Sequence, residues 1–75
     1  MEIKTSDLYF AGWLQCNLEL ARIDRTNPSR KVFVFSDPDN EAAELQDKWD
    51  TATAEVNAVD YADALRQLKN AVMRS

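Results

Sequence analysis

The sequence predicts a small α+β domain in which a short antiparallel sheet packs against three helices. Three observations carry that prediction. Residues 31–36 contain the run Val32-Phe33-Val34-Phe35, residues 58–73 keep a clear helical period, and caps and turn formers punctuate the chain around them. Runs of β-branched and aromatic residues favour strands, whereas apolar residues three and four apart favour an amphipathic helix. The expected order is helix, strand, strand, helix, a brief optional strand, helix. A chain of 75 residues supports one core, so one domain spanning 1–75 is expected.

The first helix is expected over 6–16. In Thr5-Ser6-Asp7 either hydroxyl can accept from first-turn N–H groups, and Asp7 complements the dipole. At 100° per residue, Phe10, Ala11 and Leu14 share one side and Tyr9, Trp13 and Cys16 another. Only Asp7 and Gln15, beside Leu8, offer a wettable strip. One apolar face belongs to the core; the other needs a covering element or another molecule.

Strands are expected at 18–24 and 31–36, joined through the turn formers of 24–29. The second strand is apolar on both faces, which predicts helices on both sides of the sheet or a dimer covering one side. Asp37 and Pro38 are suited to N-cap and first helical positions, so a helix is expected over 38–50, with Ala42, Leu45 and Trp49 inward. Residues 53–56 have room for a brief third strand. In the last helix Tyr61, Leu65, Leu68 and Val72 form the inward stripe, with acids near its start and bases near its end, as the dipole favours.

Composition narrows the functional classes. The chain has no histidine, which removes the commonest general base and the usual zinc nitrogen. Its single cysteine, Cys16, cannot form an internal disulfide and lies on an apolar helix, where a packed or interface thiol is the natural reading. Gly12 is the only glycine, so a glycine-rich phosphate loop is excluded. Residues 37–48 start like a calcium loop, but Ala42 and Lys48 occupy the places of its glycine and bidentate glutamate. Asp60 and Asp63 read as solvated surface. We therefore expect no catalytic residue, no cofactor, no metal and no small-molecule substrate. No signal-peptide pattern and no membrane-length apolar run is present, so the expected location is the cytoplasm.

Lys4-Thr5-Ser6-Asp7-Leu8-Tyr9, Phe33-Val34-Phe35 with Asp37-Pro38, Asp60-Tyr61 with Ala64-Leu65, and Leu68-Lys69 occur in that order along the chain. Together they resemble a small family of domains of unknown function from bacterial and phage or prophage genomes. Asn17 stands where members of that family usually carry a glycine. The resemblance implies a mobile-element origin and a bacterial host cytoplasm, and it implies no catalytic residue or cofactor.

The leading expectation is a non-enzymatic protein-interaction module, an inhibitor or adaptor, binding another protein or itself. Tyr9, Trp13 and Cys16 are its expected docking face, because aromatic apolar surface is the composition of interface hot spots. The alternative is a single-stranded nucleic-acid-binding domain in which Arg22, Arg25, Arg30 and Lys31 follow the phosphates and Phe33 or Phe35 stacks on bases. The net charge of −4 weighs against nucleic acid as a partner. Residues 36–63 carry nine acids against one base, Lys48.

Overall fold

The computed structural model describes residues 1–74; Ser75, the last residue of the expected domain, lies outside the described residues. Strand β1 (Glu2–Thr5) leads into helix α1 (Leu8–Gln15). Strands β2 (Glu19–Asn27) and β3 (Arg30–Ser36) follow, then helices α2 (Ala42–Asp50) and α3 (Ala58–Arg74). All strand pairs are antiparallel, with β3 between β1 and β2. Three helices and a small antiparallel sheet are what the sequence predicts, but the order is β-α-β-β-α-α.

The third strand is not where the sequence suggested. Glu2–Thr5 fills the free edge of β3, placing Ile3 opposite Phe35 and Thr5 opposite Phe33. Four residues with one apolar side chain leave too little pattern to stand out. Residues 53–56 form no strand because the preceding stretch closes α2. Thr53 N donates to the Lys48 carbonyl at 2.9 Å and Ala52 N to the Trp49 carbonyl at 3.2 Å. Ala52 sits at φ 58°, so these bonds form a Schellman end with alanine where glycine is usual.

The two faces of β3 have different covers. Phe33 and Phe35 join the core that α1, α2 and α3 share through Phe10, Trp13, Leu14, Leu45 and Leu68. Side chains alternate across a strand, so all three helices lie on that one side. Helices on both sides, one of the two expected arrangements, are therefore absent among the described residues. Val34, on the opposite face, is nevertheless 0 % exposed. Its cross-strand neighbours are Lys4 and Arg22, and the Arg22 guanidinium reaches over the central strand to the Glu2 carboxylate at 2.7 Å. Long charged side chains lay their aliphatic stems over valine and keep their heads in water. That ion pair holds the Glu2 carboxyl below the usual carboxylate range.

The helix starts also differ from expectation in instructive ways. Asp7, rather than a hydroxyl of Thr5 or Ser6, caps α1, accepting from Tyr9 N at 2.9 Å and Phe10 N at 3.4 Å. Asn17 needs no glycine-like backbone; its amide donates to the Trp13 carbonyl at 2.9 Å and closes the helix end. Helix α2 begins at Ala42 rather than 38, because Asn40 turns left-handed at φ 56° and interrupts the run. Asp37, buried at 2 % exposure, still serves the helix from a distance: its carboxylate accepts from Glu41 N at 2.7 Å and Ala42 N at 3.0 Å.

Candidate functional site

The expected docking face of Tyr9, Trp13 and Cys16 does not exist as a continuous surface. Trp13 is 4 % exposed, and its indole N–H donates to the Leu45 carbonyl of α2 at 3.0 Å. Tyr9 remains 62 % exposed and Cys16 is exposed, so the expected face is split by the inward turn of its central residue. The reason lies on the strip that looked wettable. Helix α3 packs there, over Gly12, where an added Cβ would come within 2.7 Å of Leu65 Cδ2 and 3.1 Å of the Tyr61 ring. The only glycine lets two helices approach closely. Gln15 on the same strip donates to Gln67 at 3.0 Å. The chain thus hides the indole itself, with α2 on one flank of α1 and α3 on the other.

The seam between α1 and α3 gives the remaining members their chemistry. The Tyr61 hydroxyl donates to the Tyr9 carbonyl at 2.8 Å, and burial, then the Asp7 carboxylate, pushes the phenol up. Burial, followed by the Asp60 carboxylate, also pushes the Cys16 thiol up. A thiol held protonated is a poor nucleophile. Asp63 is engaged by Arg66 at 2.9 Å. Among the described residues no group of three or more histidine, cysteine, aspartate or glutamate side chains converges as a metal site.

The four basic residues of the hairpin do not form one patch. Arg22 lies on the open sheet face, bound to Glu2. Arg25 is half-buried and donates to the Val72 carbonyl at 2.8 Å, capping the exposed end of α3. Arg30 and Lys31 lie beyond, at the start of β3. Phe33 is 4 % exposed and Phe35 is 0 % exposed, so neither presents a ring for a base to stack on.

Arg30 and Lys31 instead border a feature that no sequence pattern announced. An open cleft of about 660 Å³ lies between the hairpin tip, the start of α1 and the last turns of α3. Leu8, Phe33, Val72 and Met73 give it an apolar lining, and Arg30, Lys31 and Lys69 rim it. No aspartate or glutamate lines it among the described residues. Its parts are far apart in sequence, and only the docking of α3 along α1 brings Lys69 opposite the hairpin. The helical period leaves Lys69 off the inward stripe of Tyr61, Leu65, Leu68 and Val72 and says nothing about what it faces.

Fold and cleft together define a two-layer α+β domain with one helix-covered sheet face and one basic-rimmed apolar cleft. The chain belongs to the family described as domain of unknown function (DUF5659), whose profile matches residues 1–74. Neither the curated proteins nor the solved structures contain a significant match to it. Among the described residues no helix is long and apolar enough to cross a membrane.

Proposed function

We propose that this domain is a non-enzymatic interaction module that binds another protein through the cleft bordered by Arg30, Lys31 and Lys69. The observation that carries the reading is the composition of that cleft: three cations and an apolar lining, with no acid among its described lining residues, in a chain of net charge −4. Apolar surface with convergent charge is what a binding site needs to combine affinity with selectivity. Tyr9 and Cys16, still exposed, lie outside this lining, and Trp13 has a structural role in place of the docking role expected for it.

The likeness of the caps and core positions to bacterial and phage domains supports a mobile-element origin, and with it action in a host cytoplasm as an inhibitor or adaptor. The nucleic-acid alternative has no comparable support, since Arg22 and Arg25 are already engaged and the two strand phenylalanines are buried. The test is affinity capture from a lysate of the cells that encode the protein, with wild type beside the double variant Lys31→Glu/Lys69→Glu. A protein retained by wild type and lost by the variant supports the reading. Equal retention by both, or retention by neither, overturns it.

A further inference from the structure

We infer that the occupant of the cleft is a short acidic peptide segment of the partner protein, carrying apolar side chains between its carboxylates. This rests on the interaction-module reading and adds the chemistry of the ligand. Lys31, on the same side of β3 as Phe33, comes from the hairpin and Lys69 from α3, so positive charge faces the same space from two walls, with Arg30 beside them at the start of the strand. None of the three makes an ion pair among the described residues, whereas Arg22, Lys48 and Arg66 each do. Unpaired cations on opposite walls attract carboxylates spaced along a strand-like segment.

The space between the cations selects against other anions. Leu8 and Val72 are half-buried and Phe33 lies beneath, so a purely hydrophilic anion would leave apolar surface wet. Met73 is 84 % exposed at the margin, and its flexible thioether can fold over an incoming aliphatic side chain. A volume of about 660 Å³ accommodates a few side chains rather than a whole domain face. A nucleic-acid strand would find no exposed aromatic ring in the lining, and a concave site is poorly shaped for a membrane surface.

Fluorescence anisotropy on the full chain tests this with a labelled peptide that alternates aspartate and glutamate with leucine and methionine. Comparators are the same peptide with asparagine and glutamine replacing the acids, the acidic peptide with serine replacing its apolar residues, a single-stranded DNA oligonucleotide, and phosphatidylserine vesicles. The acidic-apolar peptide is expected to bind saturably and to weaken with added salt. Lys31→Glu/Lys69→Glu should weaken it by about five- to tenfold, and Met73→Ser by about threefold. All three side chains are exposed, so circular dichroism should show an unchanged fold.

Absence of binding, equal binding of the uncharged peptide, or indifference to the variants overturns the inference. Tighter binding of DNA or vesicles than of the peptide does the same, as does self-association of the wild type in light scattering that Lys31→Glu/Lys69→Glu abolishes, which would make a second copy the occupant. Should a lysate protein be captured through Lys31 and Lys69 while the peptide fails, only the ligand chemistry is wrong. If both experiments fail, the interaction-module reading falls with it.

Discussion

Helices α1 and α2 are nearly equal in length and are held by opposite means. In α1 five successive residues, Phe10 to Leu14, are buried, and the helix is gripped along its sides by the sheet, α2 and α3. In α2 only Leu45 is buried, with Trp49 half-covered against the Phe10 ring at 5.8 Å, and the helix is fastened at its two ends. The buried Asp37 carboxylate satisfies the first N–H groups, and the Ala52 turn closes the last carbonyls. A short helix cannot sustain itself in water, so it must borrow stability from packing or from caps. This chain uses one solution for each.

That contrast ranks the effects of substitution. Trp13→Ala attacks the gripped helix at its centre and removes the bond to the Leu45 carbonyl. It should cost about 3–5 kcal/mol, comparable to the whole stability of so small a domain. Urea denaturation followed by circular dichroism should find it largely unfolded; a folded, cooperative variant would mean α1 does not depend on lateral packing. Gly12→Val should cost about 1–3 kcal/mol by forcing Leu65 and Tyr61 away from the seam. An unchanged denaturation midpoint would show that the close approach of α1 and α3 is not needed.

The ends of α2 should give smaller effects. Asp37→Ala leaves two first-turn donors without their acceptor and should cost about 1–2 kcal/mol. Amide hydrogen exchange should show faster exchange at Glu41 and Ala42, with α1 unaffected. Ala52→Gly relieves a left-handed alanine and should stabilise the domain by about 0.5–1 kcal/mol, read as a raised midpoint. Destabilisation by that substitution would indicate that the turn is not closing the helix.

Alkaline titration separates the two helices further. The Tyr61 phenol is raised in the folded state and donates to the Tyr9 carbonyl on the α1–α3 seam. Its contribution is present in full below the unfolded-state pKa of about 10 and is lost as pH rises through the higher folded value. Tyr61→Phe removes the donor at every pH and should flatten that alkaline loss, leaving the caps of α2 untouched. A wild-type curve no steeper than that of the variant would rule out this contribution.

Local chemistry made much of the fold legible. The uninterrupted apolar run at 32–35 had to be a covered strand, the period of 58–73 had to be a helix, and Asp37 had to serve N–H groups, because each signal depends on neighbours within a few residues. The covering of each surface was decided elsewhere. Glu2–Thr5 is a strand only because the edge of β3 accepts it. Val34 is sealed by an ion pair between residues twenty apart in sequence, Glu2 and Arg22. Trp13 turns inward because α2 supplies a carbonyl for its indole, and α3 settles on the strip around Gly12 because only a missing side chain leaves room. The basic cleft likewise requires Lys69 to meet the hairpin across the molecule. A helix's periodicity reports which of its sides are apolar; which side faces what depends on the packing of distant segments, and there the excluded volume of Gly12's neighbours and the hydrogen bond of one indole outweighed hydropathy.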